Sequence, residues 1–196
     1  LFGNPVIRAR REGILHQPEA QTLLICGGSQ GAKFINELML KVIPLLTDQI
    51  PGLKVIHQTG VADFEKVRTE YEKLNVAVEV APFFDSMDKV YQKASLLISR
   101  AGAGTLTEIA LWGIPAIFIP FPQATDDHQR KNALHFVRKE AAMMLMQERT
   151  TPELLAQKIV ELMTTPGVLK DMGEKTRLLG RPDAAQRVVS ELLTLS

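Results

Sequence analysis

Ser99-Arg100-Ala101-Gly102-Ala103-Gly104-Thr105-Leu106-Thr107-Glu108 decides how this chain is read. It follows an apolar run, Ala94, Leu96, Leu97 and Ile98, that predicts a strand, and it leads into a helical pattern of Leu106, Ile109 and Ala110 that stops at Gly113. A glycine-rich turn between strand and helix leaves backbone N–H groups uncovered at the helix start, where the helix dipole adds partial positive charge. Such a mouth suits a phosphate. Glu108 lies four residues after Gly104, one turn into the helix and on the same face. A carboxylate there can accept hydrogen bonds from sugar hydroxyls while the amides hold a phosphate, which points to a nucleotide or nucleotide sugar. The plainer alternative is a structural turn with Glu108 on a solvated face.

Outward from this stretch, strand and helix patterns alternate. Thr22–Cys26, Leu53–His57, Val76–Ala81, the run before Ser99, Pro115–Pro120 and Ala142–Met146 predict six strands. Phe34, Leu38, Val42 and Leu45 recur at helical spacing, and residues 62–73 carry charges on a helix-compatible pattern. Asp85 is placed to cap a short helix through Tyr91, with Asp88 in its first turn, and His128–Lys139 predicts a further helix. Thr151-Pro152 is a helix start and Thr165-Pro166-Gly167 its end. Ala185, Val188, Val189, Leu192 and Leu193 form one apolar stripe near the terminus. The implied fold class is α/β, a Rossmann-like doubly wound parallel sheet covered on both faces. Ligands of such sheets sit beyond the carboxyl ends of the strands, near the point where strand order reverses.

Composition narrows the function classes. The 196 residues fit one large α/β domain, and 45% are apolar, enough for a substantial core. With 23 basic and 22 acidic residues the net charge is +1 and no basic stripe appears, so no nucleic-acid partner is expected. A lone cysteine, Cys26, excludes an internal disulfide framework and fits a reducing compartment. No apolar run approaches the ~20 residues that span a bilayer. The chain opens mid-pattern at Leu1-Phe2-Gly3-Asn4-Pro5, which predicts that further sequence belongs upstream.

Two other loops hold candidate chemistry. Gly27-Gly28-Ser29-Gln30-Gly31 follows the first strand; Cys26 replaces the first glycine of a dinucleotide fingerprint, and no P-loop lysine is present. It serves equally as a tight turn or as a ligand loop in which Ser29 donates to a sugar or phosphate oxygen. Pro120–Ala133 gathers polar groups after another strand, with His128 and Gln129 opening a helix within reach of a sugar. Asp126-Asp127 is expected to cap and begin that helix rather than hold a metal, because no histidine or cysteine has ligand spacing. Cys26 reads as a buried, inert thiol, His57 and His135 as structural or exposed, and Met143, Met144 and Met146 as core. No Ser-His-Asp order or paired-carboxylate arrangement stands out.

In this order the segments resemble the C-terminal domain of the MurG family of bacterial glycosyltransferases. Gly3-Asn4-Pro5-Val6, Gly27–Ala32, Phe84-Asp85-Ser86-Met87, Arg100–Glu108, Gly113-Ile114-Pro115-Ala116 and Asp127–Ala133 carry the likeness from end to end. The resemblance implies the C-terminal half of a two-domain GT-B enzyme. Residues 1–20 are then an entry or interdomain linker and residues 21–196 a UDP-sugar-binding Rossmann-like domain with C-terminal helices. It implies UDP-N-acetylglucosamine as donor, and a lipid-linked acceptor bound by an N-terminal domain that this sequence lacks. Transfer would be inverting, with no cofactor or metal. Membrane contact would come only through the full-length protein, at the cytoplasmic face of the bacterial inner membrane.

By the same resemblance Ser29 faces the sugar nucleotide and the backbone at Phe84 sits against the uracil. Ala103, Gly104 and Thr105 hold the diphosphate, Glu108 accepts the ribose hydroxyls, and His128 and Gln129 meet the N-acetylglucosamine. The family places an arginine directly after Gly-Asn-Pro-Val; here Ile7 intervenes and Arg8 stands one step later as the diphosphate candidate. The catalytic base is expected in the N-terminal domain. Two other readings share this site: a stand-alone donor-binding subunit that recruits a separate acceptor-binding membrane partner, and a non-catalytic nucleotide-sugar sensor.

Overall fold

The computed structural model describes residues 18, 19, 21–27, 32–74 and 76–181. Six strands, β1 (Thr22–Cys26), β2 (Lys54–Gln58), β3 (Ala77–Ala81), β4 (Leu96–Ser99), β5 (Ala116–Phe118) and β6 (Ala142–Met144), form one sheet. Their order is β3-β2-β1-β4-β5-β6, and every neighbouring pair is parallel. Seven helices accompany them among the described residues: α1 (Lys33–Leu46), α2 (Phe64–Tyr71), α3 (Met87–Lys93), α4 (Ala103–Trp112), α5 (His128–Val137), α6 (Pro152–Thr164) and α7 (Val168–Leu178). This is the doubly wound α/β sheet that the alternating pattern predicts.

The period of two along each strand builds two cores. Leu23 and Ile25 of β1, Val55 of β2 and Leu96 and Ile98 of β4 face one layer, where they meet buried residues of α1, α2 and α6. Leu24, Cys26, Ile56, Leu97, Ala116 and Phe118 face the other, against α3, α4 and α5. All five residues of β1 are buried, as a central parallel strand covered on both sides requires. Because α1 and α4 pack on opposite faces, the winding reverses between β1 and β4, the place where sheets of this kind bind their ligands.

Local chemistry explains the element ends. Thr151 caps α6: its hydroxyl accepts from the Leu154 N–H at 3.2 Å, and Pro152 occupies the first turn. Gly113 ends α4 in the left-handed conformation (φ 71°), and its N–H donates to Ile109 O at 2.7 Å. A Cβ there would lie 2.9 Å from Arg177 Nε and 3.0 Å from Gly173 O. At Gly173 it would lie 2.7 Å from Gly113 O, so the two glycines allow α7 to lie directly on the end of α4.

Among the described residues Thr22 Oγ1 is buried without a partner, whereas the polar groups around His57 are paired. His57 is fully buried on β2; its Nε2 lies 3.0 Å from Asn36 Oδ1 and its Nδ1 3.0 Å from the Tyr71 hydroxyl. Asn36 uses its amide hydrogens on Thr59 O (2.9 Å) and Asp63 Oδ2 (2.7 Å). Its Oδ1 must therefore accept, so His57 carries its proton on Nε2 and receives one from Tyr71 at Nδ1. Burial pushes the His57 pKa down to about 3.

Several expectations are corrected. Ser86, not Asp85, is the residue before α3; Asp88 does lie in the first turn. Asp127 does precede α5, but it makes no side-chain cap. Both Asp126 (φ 51°) and Asp127 (φ 55°) are left-handed, and Asp127 pairs instead with Arg130 at 3.3 Å. Such short polar side chains tolerate that conformation better than most. Met143, Met144 and Met146 are half-buried rather than core, because β6 is an edge strand. Strands β5 and β6 run shorter than their predicted runs: Ile114 and Pro120 are buried just outside β5, and Ile119 follows it with its N–H still donating to Ser99 O at 2.9 Å. Ser29, Arg8, the domain boundary at residue 20 and the stripe at 185–193 fall outside the described residues.

Candidate functional site

The carboxyl ends of β4 and β5 and the starts of α4 and α5 share one edge of the sheet. Gly102 precedes α4 with extended dihedrals (φ −69°, ψ 144°) and supplies no side-chain cap, and the first turn has no acidic residue. Ala103 and Gly104 are exposed and Thr105 is half-buried. The first helical N–H groups have no carbonyl one turn earlier to donate to, and no side chain caps them here. Together with the partial positive charge of the helix start they form an anion-binding mouth. Cβ atoms built on Gly102 or Gly104 meet nothing within 4 Å, and neither residue has positive φ. The protein's own packing does not demand these glycines. They leave space in front of the amides.

Glu108 sits half-buried on α4, one turn below this mouth. The Tyr91 hydroxyl on α3 donates to its Oε2 at 2.6 Å. Tyr91 is 3% exposed, and burial together with the nearby carboxylate pushes its pKa well above the ordinary phenol value, so it stays a donor. Cys26 lies under the same pair. Burial, reinforced by Glu108, raises the thiol to about 12, which makes it the inert group the sequence suggests. Phe84 lies midway along the segment that leads from β3 into α3 and packs partly buried against the same core layer.

The opposite lip belongs to α5. His128 is exposed, and its Nδ1 lies 2.7 Å from Thr125 O. A carbonyl only accepts, so Nδ1 carries the proton and the neutral ring keeps Nε2 as an acceptor. The Gln129 carbonyl oxygen receives the Phe121 N–H at 3.0 Å, which leaves its amide hydrogens to donate. Asn132 donates to Ala101 O at 3.1 Å and so ties α5 to the turn before α4.

Arg100 joins the remaining pieces. Its guanidinium donates to Ile119 O (2.8 Å), Pro120 O (3.0 Å) and Gln147 Oε1 (2.7 Å), and it lies 5.9 Å from the Phe34 ring centre and 5.4 Å from that of Phe121. Burial lowers its pKa to about 10, still charged at neutral pH. The sequence reading gave no role to Tyr91 or to Arg100. The available signal for Arg100 was a lone cation directly after an apolar strand; Tyr91 had none beyond being a polar aromatic on a short helix. The structure thus gathers Ala103, Gly104, Thr105 and Glu108 on one helix, with Phe84 on the wall before α3 and His128 and Gln129 on the facing helix. Among the described residues no group of three His, Cys, Asp or Glu side chains could hold a metal ion.

Comparison with known proteins agrees with this architecture. The glycosyltransferase family 28 C-terminal domain matches residues 22–188. The UDP-N-acetylglucosamine–N-acetylmuramyl-(pentapeptide) pyrophosphoryl-undecaprenol N-acetylglucosamine transferase of Geobacter metallireducens is 42% identical over 99% of this chain and 55% of its own length. The corresponding protein of Myxococcus xanthus is 40% identical over 100% of this chain and 52% of its own. The chain therefore spans about half the length of the curated relatives it matches. The crystal structure of Acinetobacter baumannii MurG superposes with a TM-score of 0.82 at 38% identity, covering 90% of this chain and 50% of that one. At 17% identity and a TM-score of 0.60, the UDP-GlcNAc 2-epimerase of Neisseria meningitidis shares the fold. By its sequence match and by the sheet that match implies, this chain belongs to the glycosyltransferase family 28 C-terminal domain family.

Proposed function

We propose that this chain is the donor-binding half of an inverting N-acetylglucosaminyltransferase. The reaction would move N-acetylglucosamine from UDP-N-acetylglucosamine to undecaprenyl-diphosphate-linked N-acetylmuramoyl-pentapeptide. The uncapped start of α4, with space in front of it and Glu108 one turn below, carries the nucleotide part of this reading. The choice of sugar and acceptor rests on the named activity of relatives about 40% identical.

In this reading the amides of Ala103, Gly104 and Thr105 bind the diphosphate. Fixed donors at a helix start stabilise the charge that grows on the leaving diphosphate as the glycosidic bond breaks, and they need no reorganisation to do so. Glu108 accepts the ribose hydroxyls, and the backbone at Phe84 meets the uracil. His128 accepts and Gln129 donates to hydroxyl and acetamido groups of the sugar. Ser29 and Arg8 are further donor contacts by the family likeness alone. The base that activates the acceptor hydroxyl, and the surface that meets the lipid, belong to the half of the relatives that this chain does not cover. The whole enzyme would work peripherally at the cytoplasmic face of the inner membrane. No helix among the described residues is long and apolar enough to cross one.

Calorimetric titration with UDP-N-acetylglucosamine, UDP-glucose and a TDP-sugar, with and without EDTA, tests the reading. UDP-N-acetylglucosamine should bind tightest, and the chelator should change nothing. Equal affinity for all three, or none for any, would overturn it.

A further inference from the structure

We propose that Tyr91 is a positioning residue that fixes the Glu108 carboxylate for the ribose, an inference resting on the donor-site reading above. The observation is the 2.6 Å hydrogen bond from the hydroxyl of a tyrosine that is 3% exposed to the carboxylate of a half-buried glutamate seventeen residues away on the next helix. A glutamate on a helix surface has three rotatable side-chain bonds, and a ligand that uses it must first order them. Tyr91 does that beforehand. It takes one acceptor site of Oε2 and leaves the other and both of Oε1, so the carboxylate it holds can still receive both ribose hydroxyl hydrogens.

The position of Tyr91 adds a second consequence. It lies on α3, the helix that begins three residues after Phe84, and its partner lies on α4, whose start is the anion mouth. The bond therefore sets the distance between the wall assigned to the base and the helix assigned to the diphosphate. Tyr91 touches no ligand in this account; it acts through Glu108.

Tyr91→Phe keeps the buried ring and removes only the donor. The assay is titration of the chain with UDP and with 2′,3′-dideoxy-UDP. In the unaltered chain, loss of the hydroxyls should cost about tenfold or more in affinity, the scale of hydrogen bonds to a charged acceptor. Y91F should weaken UDP about fivefold, leave the dideoxy analogue unchanged and narrow the ratio between them. Glu108→Ala should collapse the ratio, and Y91F added to E108A should weaken UDP no further, because the two act as one unit.

A full ratio in Y91F beside a collapsed ratio in E108A overturns the role of Tyr91 while the donor site stands. Failure of the unaltered chain to bind UDP at all overturns both. Should Y91F not fold, tyrosine ring carbon NMR of the unaltered chain reads the same contact, since Tyr71 and Tyr91 are its only tyrosines. UDP should shift the Tyr91 signal and the dideoxy analogue should not; a signal that UDP leaves in place counts against the proposal.

Discussion

Gly104→Ala should raise stability and lower nucleotide affinity together. In the first turn of α4, a Cβ at position 104 meets no atom outside the helix backbone within 4 Å, and the φ of this glycine is not positive. Nothing in the folded chain opposes the methyl group. Alanine is favoured over glycine in a helix by about 0.8–1 kcal/mol, and less in a first turn, so a gain of about 0.5 kcal/mol is expected. For a domain of this size that raises Tm by about 1–2 °C. The same methyl group occupies the space in front of the amides that are assigned to the diphosphate. A displaced phosphate loses at least one charge-assisted hydrogen bond, about 1.5–3 kcal/mol, or roughly a tenfold to hundredfold fall in affinity. Differential scanning calorimetry and UDP titration on one preparation read both signs. If G104A melts higher and binds UDP as tightly as the unaltered chain, that space serves no ligand and the site has been misread.

Three further outcomes follow from particular contacts. Gly113→Ala and Gly173→Ala should both destabilise, by about 2 kcal/mol each in urea unfolding, because a Cβ meets backbone oxygen at 3.0 and 2.7 Å and Gly113 is also left-handed. Arg100→Met, which keeps most of the stem but none of the donors, should cost about 2 kcal/mol and loosen the segment before α5, seen as faster amide exchange at Phe121. His57 has a folded pKa of about 3 against an unfolded value near 6.5, so the unfolded chain binds the extra proton. Its contribution is whole above about pH 6.5 and declines by up to about 1.4 kcal/mol per pH unit as pH falls toward 3. Nitrogen NMR should show a neutral, Nε2-protonated His57 at pH 5; a charged ring there would contradict the hydrogen-bond assignment.

What could be read in advance follows the range of the physics. Strand and helix alternation comes from local periodicity, so all six strands and the helix after each glycine turn were legible. The Thr151-Pro152 start was legible for the same reason, since a cap and its partner lie three residues apart. Helix α7 was not separated from the rest of the helical tail: Gly167 precedes it, Gly173, a weak helix former, lies inside it, and its packing on α4 depends on a backbone approach that no local pattern encodes. The left-handed pair Asp126 and Asp127 defeated the capping rule in the same way, because residue types that cap also tolerate turns. At the site, the helix-borne set of Ala103, Gly104, Thr105 and Glu108 needed only sequence spacing. Tyr91 and Arg100 act across 17 and 47 positions, and such pairings appear only once the sheet order is known.

The chain separates its chemistry from its carpentry. Every candidate ligand group described lies where strands run into helices, whereas the turn from α1 into β2 lies at the far end of the sheet. Asp48, Gln49, Pro51 and Gly52 are exposed in that turn, and Gly52 takes a left-handed φ of 76°. Fluorophores, affinity handles or the new ends of a circularly permuted chain placed there would be insulated from the candidate site by the full length of the strands. The fold thus carries its own attachment point for immobilised screening.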